Sequence, residues 1–214
     1  MRNEFDKQLV NLNNELIEMG SMIEKSIEKA IHALATQDVD VAKAAIEADV
    51  DIDEQERRIE HLCLKLLLQQ QPVARDLRTI SSALKMITDM ERIGDHAADI
   101  SEITISMAKS TKEVNLDLIR QMAKETTVML VGSVDSFVNK DLEQAKEVIA
   151  KDDIVDELFV QIKKKLIEMI CEDTQMGELA ADLLMIAKYF ERIGDHAVNI
   201  SEWVIFSITG EHVN

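Results

Sequence analysis

One twelve-residue helical segment occurs twice in this chain. ERIGDHAADISE spans residues 91–102 and ERIGDHAVNISE spans 191–202, identical at ten of twelve positions at an offset of 100. A second, looser match sets Asp49-x-x-x-Asp53-Glu54 against Asp152-x-x-x-Asp156-Glu157 at an offset of 103, and Asp38 and Asp141 share that offset as candidate helix N-caps. A chain that repeats itself in this way is built from two copies of one folding unit.

The unit is helical. From Phe5, apolar residues recur at Leu9, Leu12, Leu16, Met19, Ile23, Ile27, Ala30 and Leu34, in steps of three and four that mark one face of a helix. This helix is expected to stop near Thr36-Gln37, with Asp38 capping the second, which runs to about Gln70. Pro72 suits the first turn of a third helix, where its missing N–H costs nothing, and that helix continues to about Lys109. Residues 110–115 carry no periodicity and read as a linker. The plan then repeats: a fourth helix from about Leu116 to Phe137, a fifth from after Asn139 or Asp141 to near Cys171, and a sixth from about Gly177 to Ile208. The expected fold is all-α, two tandem three-helix bundles of six long antiparallel helices. The first bundle is assigned to residues 1–109 and the second to 116–214.

Composition agrees with this and narrows the function. Aromatics make up 3% of the chain, with one proline and six glycines, too few turn and strand formers for a β-protein. The formal net charge of −17 opposes contact with nucleic-acid phosphates or anionic membrane surfaces, and suits metal cations or a basic protein partner. Cys63 and Cys171 form no CxxC pair or zinc-ligand spacing. Both lie in apolar helical runs and read as buried, reduced core residues of an intracellular protein. No signal peptide opens the sequence, and no apolar run is long enough to cross a membrane.

The acidic residues are patterned. Asp49/Asp53, Glu91/Asp95, Asp152/Asp156 and Glu191/Asp195 are each four apart, on one helix face. Like charges at this spacing destabilise a helix by about 0.2–0.5 kcal/mol per pair, so four pairs at matching places in two repeats need a reason. Asp53 and Glu91 stand equally far from Pro72 on either side, as do Asp49 and Asp95. In the second half the same counting centres beside Thr174. An antiparallel hairpin turning there sets two pairs level, giving each bundle four hard oxygen donors suited to Mg²⁺, Mn²⁺, Ca²⁺ or iron. The competing reading of each pair is a solvated acidic face.

Neighbouring residues extend the pattern. His96 and His196 follow the motif aspartates and are candidate ligands at the rim or groups that orient ligands. Asp99, Asn199, Glu102 and Glu202 continue the stripe. Gly94 and Gly194 each weaken a helix interior by about 1 kcal/mol against alanine, which at equivalent points suggests close helix approach or room for an ion. Arg92 and Arg192 read as salt-bridge partners of nearby acids. Trp203 lies in an apolar cluster that suits core or dimer contact, while His32, His61 and His212 belong to no visible constellation.

The doubled ERIGDHA motif, with Gln70-Gln71-Pro72-Val73-Ala74-Arg75-Asp76-Leu77-Arg78 opening the third helix, resembles the PhoU family of phosphate-signalling regulators along essentially the whole chain. The stretch Glu172–Glu178 has no equivalent of the second element, so any partner contact through Arg75 or Arg78 occurs once per chain. The resemblance implies two symmetric three-helix bundles. It also implies multinuclear metal (iron, manganese or magnesium) on Asp49, Asp53, Glu91, Asp95, Asp152, Asp156, Glu191 and Asp195. It further implies a cytoplasmic, homodimeric negative regulator of phosphate uptake. Such a regulator contacts the ATPase subunit of a phosphate ABC transporter and its sensor histidine kinase, and meets the membrane only through these partners.

Two other readings stay open. A carboxylate-bridged metalloenzyme of ferritin type would use Glu-x-x-His. The residues three before the five histidines are Lys29, Arg58, Ile93, Ile193 and Thr209, so the motif is missing. A metal-free helical scaffold is the second. No nucleophile–base pair, phosphate loop or Gly-rich nucleotide motif is present in the sequence, which is read as that of a non-enzyme.

Overall fold

Capping aspartates divide the helices where the repeat places them. Asp38 Oδ1 accepts from the backbone N–H groups of Asp40 (2.9 Å) and Val41 (3.1 Å), and Asp141 Oδ1 accepts from those of Glu143 (3.1 Å) and Gln144 (3.0 Å). The residue before each cap, Gln37 and Lys140, is left-handed with φ of 54°. In a computed structural model, which describes residues 2–69, 73–108 and 114–213, the resulting elements are α1 (Arg2–Thr36), α2 (Val39–Gln69), α3 (Ala74–Met107), α4 (Asp117–Asn139), α5 (Leu142–Glu172) and α6 (Gly177–Thr209). A 3₁₀ turn, Thr174–Met176, joins α5 to α6 at the expected place, with Asp173 Oδ1 accepting from the Gln175 N–H at 2.9 Å.

The six helices form two three-helix bundles. α1, α2 and α3 pack on one another, as do α4, α5 and α6. The bundles meet through α3 against α6 and α1 against α4, while α2 and α5 lie on the outer flanks. Each helix turns one apolar stripe inward, and the stripes meet in a core that includes Leu12, Leu16, Ile52, Ile59, Met86, Ile87 and Phe190. Fully burying a side chain of this size contributes about 1.5–3 kcal/mol, which holds long helices whose sequences are otherwise polar. Among the described residues, no helix is long and apolar enough to cross a membrane.

Several expectations change in detail. Pro72 lies outside the described residues, as do 109–113 of the expected linker; the described end of that linker, Val114–Leu116, is irregular. α4 begins one residue late because Asn115 Oδ1 accepts from the Asp117 N–H at 2.8 Å. Cys63 is buried as expected, but Cys171 is exposed. The inward stripe of α5 runs through Ile162 and Leu166 to the partly buried Met169 and Ile170, and Cys171 is rotated off it near the helix end.

Candidate metal centre

The antiparallel packing of α2 on α3 brings Asp49, Asp53, Glu91 and Asp95 together. Asp49 is the most affected. Burial, followed by the charges of Asp95, Asp53, Glu91 and Asp99, raises its pKa to about 6. Glu91 is also shifted upward, by burial and then by Asp95. Arg92 reduces the repulsion: its Nη1 donates to Asp95 Oδ2 at 2.9 Å, and its Nε lies 3.5 Å from Glu91. Arg57 lies 3.4 Å from Asp53.

α5 and α6 build the same arrangement from Asp152, Asp156, Glu191 and Asp195. Burial, then the charges of Asp156, Asp195 and Glu191, raises the pKa of Asp152 to about 6. Asp195 is raised by burial and by Glu191, against the opposing pull of Lys188. The two clusters differ in their cations. Lys188 pairs with Glu191, whereas the matching position in the first half is Thr88. Arg192 makes no ion pair among the described residues; its guanidinium instead lies 5.9 Å from the centre of the Tyr189 ring. The second cluster is also more open, with Asp156 and Asp195 exposed where Asp53 and Asp95 are half-buried.

The motif glycines serve close approach between helices. A methyl group on Gly94 would lie 3.1 Å from Ile52 and 3.2 Å from Asp49 Oδ1, and one on Gly194 would lie 3.1 Å from Asp152 Oδ1. Those two carboxylate oxygens are also orphans: Asp49 Oδ1 and Asp152 Oδ1 are both buried with no hydrogen-bond partner. A buried anion oxygen without a donor is costly, and here the same atom is left so in both repeats.

The motif histidines also reach the seam between the bundles, and the charge of His196 is felt by Asp195. They face each other across the α3–α6 seam, ring centres 5.5 Å apart. His196 Nδ1 lies 2.8 Å from Asp89 Oδ1, which also accepts from Asn199 Nδ2 at 3.0 Å. On the other side, His96 lies 3.4 Å from Asp99 and 5.3 Å (ring centres) from Tyr189. Burial lowers the pKa of His96, against the pull of Asp99. Asp89 and Tyr189 occupy the same position in the two repeats, and neither was legible as a partner of the motif. The spacing of 100 between them was the available signal. Trp203 is partly buried, edge-on to both Phe206 and His212, and His212 stacks on Phe206 at 4.3 Å.

Among the described residues, no three His, Cys, Asp or Glu side chains converge on one point as ligands of an ion. Each cluster nevertheless supplies oxygen-only donors and one orphaned carboxylate oxygen, which suits a hard cation in chemistry. Convergence would require turns of side chains that now answer to Arg92, Arg57 or Lys188.

The family model for the PhoU domain matches this chain twice, over residues 16–104 and 119–204. The chain belongs to the PhoU family. Its similarity to the phosphate-specific transport system accessory protein PhoU homolog of Clostridium acetobutylicum is 37% identity, covering 100% of this chain and 98% of that protein. The accessory protein PhoU of Escherichia coli is 29% identical over 97% of this chain and 86% of its own length. The crystal structure of PhoU from Pseudomonas aeruginosa superposes with a TM-score of 0.91 at 30% identity, covering 97% of this chain and 100% of that one. The phosphate transport system regulatory protein PhoU from Streptococcus pneumoniae also gives 0.91, at 28% identity, over 98% of this chain and 99% of that one. Both PhoU-domain matches span a DxxxD and an ERIGD motif, so the family's repeating unit and the carboxylate cluster coincide.

Proposed function

We propose that this protein is a negative regulator of phosphate uptake and of the phosphate-starvation response, acting by contact rather than by catalysis. The observation that carries this reading is similarity along the whole chain to proteins named as accessory or regulatory components of phosphate transport. Its partners are the ATPase subunit of a phosphate ABC transporter and the cognate sensor histidine kinase, met by a cytoplasmic homodimer. Each bundle would present its acidic cluster to them from its own helix pair, α2 with α3 or α5 with α6. Deleting the gene should raise expression of phosphate-uptake genes in phosphate-rich medium, and tagged protein should retain the ATPase subunit and kinase on purification. Unchanged repression in a clean deletion strain would overturn this reading.

We further propose that each cluster holds cations, the first through Asp49, Asp53, Glu91 and Asp95 and the second through Asp152, Asp156, Glu191 and Asp195. Iron, manganese and magnesium all suit oxygen-only donors. A bound cation would neutralise crowded carboxylates and give the two orphaned oxygens a partner. Elemental analysis and calorimetric titration of wild type against a Glu91→Gln/Asp95→Asn variant test this. Equal metal binding by both would remove the first cluster from the assignment.

A further inference from the structure

Three helix ends meet about 20 Å along α3 from its carboxylates, taking 1.5 Å per residue between Arg78 and Glu91. Arg75 and Arg78 stand three residues apart at the start of α3, on one face. Lys140 closes α4 in the left-handed conformation, and Ser207 lies in the last turns of α6. With Thr79 they line a cavity of about 380 Å³. The chain holds 41 acidic and 24 basic residues, yet the charged lining of this cavity is three cations and no acid.

The cations are unused. Among the described residues, none of the three makes an ion pair or a side-chain hydrogen bond, and Arg78 Nε is buried without an acceptor. Arg78 runs beside Gly210: a methyl group there would lie 3.6 Å from its Nε and Cζ, at ordinary van der Waals contact. Gly210 is itself left-handed (φ 82°), a conformation that disfavours a side chain there. The acids nearest in sequence are directed elsewhere. Asp141 Oδ1 caps α5, and Asp76 is rotated off the Arg75–Arg78 face and does not line the cavity. The Thr79 and Ser207 hydroxyls donate to the carbonyls of Arg75 and Val204, so the cations alone supply the charge-assisted donors of this cavity.

We propose that this cavity binds a dianionic phosphoryl group. Two planar guanidinium forks and one ammonium match an anion with several oxygens around one centre, since each arginine can engage two oxygens and the lysine a third. A buried N–H without an acceptor gains one on binding. The volume exceeds that of orthophosphate alone, so the ligand is either the free ion with its waters or the phosphoryl end of a small organic phosphate. Neither the carboxylate clusters nor the transport partners enter this proposal.

The alternative is that the cations only offset the negative C-terminal ends of α4 and α6. Calorimetric titration of the chelator-treated full-length protein, with orthophosphate and separately with glycerol 3-phosphate at constant ionic strength, decides between them. The proposal expects one saturable site per chain for at least one ligand. The tighter of the two identifies the source as free ion or organic phosphate. Arg78→Gln and Lys140→Gln should each weaken binding about tenfold, the loss of one charge-assisted contact, while a control variant at two exposed lysines of α5, Lys163→Gln/Lys164→Gln, should not. Lack of saturable binding by wild type, or equal affinity in Lys140→Gln, overturns the proposal. If Arg78→Gln fails to fold, Lys140→Gln still decides it.

Discussion

Gly94 on α3 approaches Asp49 on α2 so closely that a Cβ on the glycine would lie 3.2 Å from the carboxylate oxygen Oδ1. The same Cβ would meet two carbons of Ile52, a fully buried core residue with little freedom to move. At Gly194 the tight neighbour is the end of the Asp152 side chain, with Val155 at an ordinary 3.4 Å. Alanine gains about 1 kcal/mol of helix propensity at either site. We expect Gly194→Ala to be neutral or stabilising, and Gly94→Ala to be destabilising by about 1–2 kcal/mol through overpacking. Urea denaturation of the two variants checks this, and equal shifts would contradict it.

Asp49 and Asp152 give the metal-free protein an unusual pH response. Each carboxyl has a folded-state pKa near 6 against 3.8 unfolded, so the folded protein binds its proton more tightly. Their contribution therefore improves as pH falls from above 6 toward 4, and their cost is fully present above 6. The melting temperature of chelator-treated protein relative to an Asp49→Asn/Asp152→Asn variant should rise on acidification from pH 7 to 5. A difference independent of pH over that window would show that neither group is perturbed.

Asp89 answers two donors across the seam. Replacing it with alanine leaves the His196 ring nitrogen and the Asn199 amide without that acceptor in a half-buried setting. We expect a loss of about 1–3 kcal/mol. Asp89→Asn retains one acceptor oxygen and should recover part of it. Equilibrium unfolding of both variants measures the effect.

Lys188 makes the clusters unequal. It pairs with Glu191, whereas Thr88 in the first half offers no charge. If both clusters hold cations, Lys188→Ala should strengthen the second alone. Manganese titration in a Glu91→Gln/Asp95→Asn background isolates the second cluster. Weaker binding after loss of the lysine would reverse this assignment.

The two thiols should separate cleanly. Burial, aided by Glu60, pushes the Cys63 thiol up to about 12, while Cys171 is exposed. Native protein should titrate one thiol per chain with an aromatic disulfide reagent, and denatured protein two. Cys171→Ser should abolish the native reaction.

The parts of this structure that depend on spacing along one helix were readable in advance. The core stripe of α1, the capping aspartates and the level placing of Asp49 with Asp95 all follow from helical geometry and from counting to a turn. What escaped depends on rotation between helices. Nothing local states that His96 and His196 face the α3–α6 seam, because that requires the angle at which two bundles dock. Cys171 was misplaced for a related reason, since one step off the stripe near a helix end turns a residue from core to solvent. The basic cavity draws on three distant helix ends, so no window of sequence contains it.

The seam residues also show why the two halves are not interchangeable. Position 89 is an acceptor where 189 is a tyrosine, and position 99 is an aspartate where 199 is an asparagine. In the folded chain Asp89 meets the amide of Asn199, and the charge of Asp99 lies toward Tyr189. Two first halves docked in this manner would set Asp89 against Asp99, carboxylate to carboxylate. The duplicated units have thus become complementary strangers: the covalent chain is in effect a heterodimer whose first half is matched to the second and not to a copy of itself.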